Sequence, residues 1–113
     1  MSAEVETLLA DLKALHRLLS DRRRWTTALE ARDFRGEAVN PLDPQATCFC
    51  LYGGIEKVSG GDGDRFSAMR TSLFNVLPVS AEGSLAKFND GSRHEEVLAL
   101  ISAAAEQVRE DRA

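Results

Sequence analysis

Residues 43–58 read Asp43-Pro44-Gln45-Ala46-Thr47-Cys48-Phe49-Cys50-Leu51-Tyr52-Gly53-Gly54-Ile55-Glu56-Lys57-Val58, and the fold class turns on this stretch. Asp43 is a good N-cap, and proline is tolerated at the first helical position, where its missing N–H costs nothing. The pattern predicts a helix from Pro44 to Val58. From Ala46 through Ile55 apolar or small side chains fall on nearly every side of it, as in a helix surrounded by other elements. Gly53 and Gly54 each cost a helix about 1 kcal/mol relative to alanine, so a pair of them is expected where another backbone crosses closely.

Upstream, Val5, Leu8, Leu12, Leu15 and Leu19 recur at steps of three and four, with Leu9 and Leu18 widening the stripe. This predicts an amphipathic helix from Ala3 to Ser20. Glu4 and Glu6 near its start and Arg17 near its end, with Arg22, Arg23 and Arg24 just beyond, complement the helix dipole. The periodicity then fades. Asp33-Phe34-Arg35-Gly36 forms a turn whose glycine can take a positive φ, and it joins extended arms at Thr27 to Arg32 and Glu37 to Val39. A small β-hairpin is therefore expected between the first and second helices.

Downstream, Ser59-Gly60-Gly61-Asp62-Gly63-Asp64 reads as a flexible loop in which Asp62 or Asp64 caps a third helix. That helix is expected from Arg65 to Val76, with Phe66, Met69, Leu73 and Leu77 on one face, before Pro78 stops it. A loop and a short stretch fill Pro78 to Asp90. Ser92-Arg93-His94-Glu95 reads as a capping box ahead of Val97, Ile101, Ala104 and Val108, so the last helix should run from Arg93 to Arg109 and the tail Glu110 to Ala113 should fray. The expected architecture is mainly α, a single four-helix domain over residues 1–113 built round a central apolar helix.

With 113 residues and 43% hydrophobic residues, the chain has material for one core. A net charge of -4 lacks the basic excess that duplex binders use to neutralise phosphates. The acidic start Met1-Ser2-Ala3-Glu4 is unlike a secretory signal, and no apolar run reaches membrane-spanning length, so a cytoplasmic protein with no membrane partner is expected. Cys48 and Cys50 are separated by one residue, and a disulfide between them would close a strained ring, so reduced thiols are the reading.

Trp25, Ala31-Arg32-Asp33, Gly36, Asp43-Pro44, Cys50-Leu51-Tyr52-Gly53-Gly54, Phe88-Asn89-Asp90 and Glu95-Glu96-Val97 occur in that order. Together they resemble a family, a domain of unknown function, of small bacterial and bacteriophage proteins. Its pattern is a tryptophan, an Ala-Arg-Asp stretch, a Cys-Leu-x-Gly-Ala helix and a Trp-Asn-Asp turn before a final helix. The likeness spans about Val5 to Val108, and this chain departs from the pattern with Gly54 for alanine and Phe88 for tryptophan. The resemblance implies no activity, but it marks Arg32, Asp33, Asn89 and Asp90 as a group, the candidate ligand-binding residues. A purely structural account of the same residues has Asp33 and Asn89 as turn formers and Arg32 paired with Asp90.

Other chemistry is thin. Cys48 and Cys50 with His16 and His94 are the metal-like residues, but positions two apart on a helix point about 200° apart, so no metal site is expected. Asp62-Gly63-Asp64 lacks the remaining ligands of a calcium loop, and Gly60-Gly61-Asp62-Gly63 lacks the lysine and hydroxyl of a phosphate loop. No serine, threonine or cysteine has a spacing that pairs it with either histidine, and no cofactor is expected. Arg22, Arg23, Arg24 and Trp25 are the candidate nucleic-acid residues, a cationic cluster beside an aromatic ring.

The leading functional expectation is a non-enzymatic protein-interaction module, phage-related, that meets an unidentified protein partner or a second copy of itself. The alternatives are a nucleic-acid-associated regulator using the arginine cluster, and an enzyme or ligand binder with a polar site at Arg32, Asp33, Asn89 and Asp90.

Overall fold

Asp43 does cap a turn, its carboxylate accepting a hydrogen bond from Gln45 N at 2.8 Å, but no helix follows. In the computed structural model, which describes residues 2–112, Thr47 N donates to Arg32 O at 2.8 Å and Cys50 N donates to Glu30 O at 3.1 Å. Cys48–Phe49 is thereby drawn out as strand β2, antiparallel to β1 at Ala31–Arg32, with Ala31 opposite Phe49 and Arg32 opposite Cys48. The predicted helix is halved. Helix α2 runs only over Leu51–Ser59, capped by Cys50, whose Sγ accepts from Gly53 N at 3.4 Å. An apolar run without a clear period suits a strand as well as a helix, and the free backbone groups of residues 30–32 decide between them.

The crossing backbone expected at the two glycines is that of Glu30. A Cβ built on Gly53 would lie 1.8 Å from Glu30 O. At Gly54 the neighbour is a side chain, with the Cβ falling 2.7 Å from Leu15 Cδ1. Gly53 therefore lets α2 approach the sheet, whereas Gly54 lets it approach the first helix.

That first helix, α1, spans Ala3–Leu19, with Ser2 accepting from Val5 N at its start and Leu12, Leu15 and Leu19 fully buried. It packs against α2, α3 (Gly63–Phe74) and α5 (His94–Asp111), while α2 packs on α3 and α3 on α5. The four form a ring. Their apolar faces, with Phe49, Leu51, Ile55, Met69, Leu73, Val97 and Ile101, make one continuous core. Asp62 is the cap of α3 and accepts from Asp64 N and Arg65 N.

Five α-helices rather than four occur among the described residues. The additional one, α4 at Leu85–Gly91, packs on α2. Ser84 Oγ caps it by accepting from Lys87 N at 3.0 Å, and Leu85 and Asn89, four apart and so on one face, are its buried residues. Seven residues ending in Asn-Asp-Gly carry too few periods to be recognised as helix from the pattern alone.

Other boundaries shift: α3 begins at Gly63 and ends at Phe74, two residues ahead of the expected Arg65 and Val76, because Asp62 is its cap. The α5 start lies one residue later than the expected box, because Glu96 rather than Glu95 reaches back, its Oε1 accepting from Arg93 N at 2.7 Å. Its end lies later too, at Asp111, where Gln107 Nε2 donates to the Asp111 carboxylate at 2.9 Å, so the expected fraying does not begin at Glu110. Ala113 lies outside the described residues. The hairpin turn forms where expected, with Gly36 at φ 83° and Asp33 N donating to Glu37 O at 2.9 Å. Both arms are shorter than expected: the first is strand only at Ala31–Arg32, Ala28 lying at φ 71°, and the second is reduced to a single bridge between Arg32 and Ala38.

Asp11 is buried on α1, and Arg65 of α3 meets it with both arms of its guanidinium, at 2.9 and 2.7 Å, while also donating to Val58 O at 3.1 Å. This fork ties α1, the end of α2 and α3 together. Asp11→Ala should lower the unfolding free energy by about 2 kcal/mol, the loss typical of hydrogen bonds to a charged group, as read from urea denaturation.

Candidate functional site

Three of the four polar residues singled out above, Arg32, Asn89 and Asp90, gather round the segment Trp25 to Ala28, between α1 and β1. Asn89, 1% exposed, sits at the hub. Its Oδ1 accepts from Trp25 Nε1 at 2.8 Å and from Leu51 N, the first amide of α2, at 3.1 Å. Its Nδ2 donates to Thr26 O at 3.0 Å and to Asp90 Oδ1 at 3.2 Å. A carboxamide has two acceptor and two donor places, and all four are filled. Asp90 Oδ1 also accepts from Ala28 N at 3.0 Å and so fixes a residue held at φ 71°, where a side chain is strained.

Arg32 approaches the same segment from the other side. Its Nε donates to Thr26 Oγ1 at 2.8 Å, one terminal nitrogen to Thr27 O at 2.9 Å and the other to Gly36 O at 3.1 Å. No hydrogen bond joins it to Asp90 among the described residues, which corrects the expected Arg32–Asp90 pair. The two are linked only through residues 26–28. From β1 its guanidinium instead reaches along the loop to these three acceptors.

Asp33 serves the turn. Its Oδ1 accepts from Arg35 N at 2.9 Å and Glu37 N at 3.0 Å, and Oδ2 faces the Arg35 guanidinium at 3.3 Å. Burial pushes this carboxyl up, but the two amides and the guanidinium outweigh it and hold it below the usual aspartate value. A carboxyl depressed in the folded state adds stability that is complete above its unfolded pKa and is lost as pH falls through the folded one. Asp33→Asn should therefore be less stable than wild type near neutral pH, with the gap closing in acid. Paired urea titrations from neutral pH down to about pH 2, below the usual aspartate range, give the check, and a gap independent of pH would contradict it.

A cavity of about 160 Å³ adjoins the hub, lined by Ala28, Leu29, Glu30, Cys50, Tyr52, Ala86, Asn89 and Asp90. It is smaller than the roughly 300 Å³ at which small-molecule sites begin. Burial pushes the Cys50 thiol up, against the amides of Gly53 and Tyr52, so it stays protonated and is a weak nucleophile. Cys48 and Cys50 are both free, and because Cys48 lies in a strand and Cys50 is a cap, the expected helical separation of the two thiols does not apply. Among the described residues no three His, Cys, Asp or Glu side chains cluster as a metal site would need.

Arg22–Arg24 forms one 3-10 turn after α1, and all three side chains are exposed. Asp21 grips Arg23 at 3.1 and 2.7 Å, and that side-chain bond, followed by the Arg23 amide, lowers the Asp21 carboxyl to about 2. Trp25 turns inward: its indole N–H is spent on Asn89 and its ring lies 5.6 Å from that of His94. The aromatic is not beside the arginines as a stacking platform. His94 Nε2 meets Leu19 O at 2.6 Å, a distance that requires the proton on that nitrogen, and so caps the end of α1.

A groove of about 610 Å³ between α1 and α5 was not marked by any motif. Lys13, His16 and Arg17 line it from α1 and Ser102, Glu106 and Arg109 from α5, over a floor that includes Leu9, Leu12, Ile101 and Ala105. In the sequence these cations are spread over the polar flanks of two amphipathic helices, and only the packing of α1 on α5 brings them together.

No helix is long and apolar enough to cross a membrane among the described residues. No curated protein and no solved structure matches the chain. The resemblance to a family of unknown function, drawn above from ordered motifs between Val5 and Val108, agrees with the match to family DUF6197. That match covers residues 3–107, nearly the whole chain, and the protein belongs to this family of unknown function.

Proposed function

We propose that the protein is a small non-enzymatic interaction module, working in the cytoplasm in a phage-related setting, that binds another protein or a second copy of itself through a helical face. The observation that carries this reading is the saturation of Asn89, the buried centre of the polar group. Asn89 fills all four of its hydrogen-bonding places with the protein's own groups, and Arg32 and Asp33 are each held by three. No buried side-chain nitrogen or oxygen among the described residues lacks a partner. A catalytic or ligand site keeps groups in reserve for its substrate, whereas a framework uses them up.

What remains for recognition is the outside of the helices. The experiment is light scattering of the purified chain over a wide concentration range, together with affinity capture by the tagged chain from its source cells. Self-association, or a stoichiometric protein partner, supports the reading. A strict monomer that captures no protein overturns it.

A further inference from the structure

His94 at the start of α5 bonds Leu19 at the end of α1, so the two helices run antiparallel along their shared groove. Lys13, His16 and Arg17 stand at i, i+3 and i+4 on α1, one face of the helix, and Arg109 stands on the opposite wall. The acid of the groove is Glu106, 3.6 Å from Arg109. Lys13 and Arg17 have no ion pair among the described residues. A chain of net charge -4 thus gathers an excess of cations round one apolar-floored groove.

We infer that this groove docks an acidic amphipathic helix of a partner protein, with its apolar residues on the half-buried Leu9 and Ala105 and its carboxylates on Lys13, Arg17 and Arg109. The inference rests on the interaction-module reading and names the partner's chemistry. Charge complementarity selects the occupant. A second copy joined by a twofold axis through the same groove would set these cations against their own equivalents, which is repulsive. A nucleic acid would answer the charge but not the apolar floor, and the groove holds no phenylalanine, tyrosine or tryptophan ring for bases to stack on, Trp25 being engaged by Asn89. The groove is open to solvent, which suits a helix laid into it better than an enclosed small molecule.

The test is an NMR titration of the isotope-labelled full chain with three probes. These are a synthetic helical peptide with leucines on one face and glutamates elsewhere, the same peptide with lysine for glutamate, and a single-stranded oligonucleotide. The acidic peptide should shift amides of α1 and α5 that line the groove. Its affinity should fall at least about tenfold in the triple variant K13E/R17E/R109E and fall again at high salt, since these are exposed, screenable charges. The lysine peptide should leave the groove unshifted. All three substitutions are on the surface, and circular dichroism confirms that the variant is folded.

An acidic peptide that leaves the groove unshifted, one that binds the triple variant equally well, or an oligonucleotide that displaces it from the groove would overturn the assignment. Capture from source cells with wild-type and triple-variant bait separates the two levels of the argument. A protein partner kept by both baits overturns the groove and leaves the module reading standing. The absence of any partner overturns the groove, and together with a strict monomer in light scattering it overturns both.

Discussion

Gly53→Ala is expected to lower the unfolding free energy by about 3 kcal/mol, at the upper end of what overpacking usually costs. The added Cβ would stand 1.8 Å from Glu30 O and 2.7 Å from Glu30 C, and both are backbone atoms held in place by Cys50 N. Neither can rotate aside. Relief requires α2 to move off β1, which breaks the Cys50 N to Glu30 O bond and draws Leu51 N away from Asn89. Alanine's better helix propensity returns only about 1 kcal/mol.

Gly54→Ala is the internal control, because it makes the same propensity gain one residue along the same helix. There the Cβ meets Leu15 Cδ1 at 2.7 Å, the far end of a flexible side chain. A small rotation of Leu15 relieves it, and the net change should stay within about 1 kcal/mol of wild type. Urea denaturation of the pair decides the matter: equal losses would mean that Glu30 is not the wall against Gly53.

Asn89→Leu is expected to cost about 4 kcal/mol, because it orphans two N–H donors and a carbonyl at once and each orphan costs about 1–3 kcal/mol. Those groups are Trp25 Nε1, Leu51 N and Thr26 O. The leucine fills the space that the amide occupied, so the loss reports hydrogen bonding more than a cavity. Asn89→Asp discriminates further. It keeps the acceptor for Trp25 and Leu51 but sets a second carboxyl oxygen against Thr26 O and the Asp90 carboxylate.

Burial and those two neighbours would raise the pKa of the introduced carboxyl above its unfolded value. A raised carboxyl contributes its stability below the unfolded pKa and loses it as pH rises through the folded one. The Asn89→Asp protein should therefore approach wild type in mild acid and weaken toward neutrality, the reverse of the Asp33→Asn comparison. A variant equally stable at both pH values would show that residue 89 is solvated and not the hub.

Local grammar explains what could be read from the sequence. Leu8, Leu12, Leu15 and Leu19 repeat often enough to define α1 to within a residue, and the start of α3 is narrowed to Asp62 or Asp64, of which Asp62 is the cap, because capping is a neighbour-to-neighbour interaction. The misreadings arise where a distant partner decides. Cys48 and Phe49 are strand because of residues 30–32, fifteen or more positions away, and no periodicity within 44–58 encodes that pairing. The same holds for the polar group: Arg32, Asn89 and Asp90 bond to segment 25–28, Asp33 bonds within its own turn, and the expected cross-pair of Arg32 with Asp90 does not form. Asp11 and Arg65, 54 residues apart, carry no local sign that they will meet.

Function is legible to a lesser degree for the same reason. A hub that saturates itself looks, in sequence, like a set of catalytic residue types. Only the bond-by-bond account distinguishes them. A buried amide with a free donor would have favoured a ligand, and Asn89 has none. The surface that remains available, between α1 and α5, is assembled from side chains that the linear pattern assigns to ordinary solvated faces.

The central claim, that the Trp25–Asn89 cluster is an internal framework and not a site waiting for a ligand, is tested most directly by hydrogen exchange of the Trp25 indole proton followed by NMR. The account predicts a proton protected to nearly the depth of the core amides, exchanging only when α4 separates from the 25–28 segment. Exchange at the rate of a free indole would contradict it, because it would mean that the Asn89 carbonyl is open to solvent and available to another molecule.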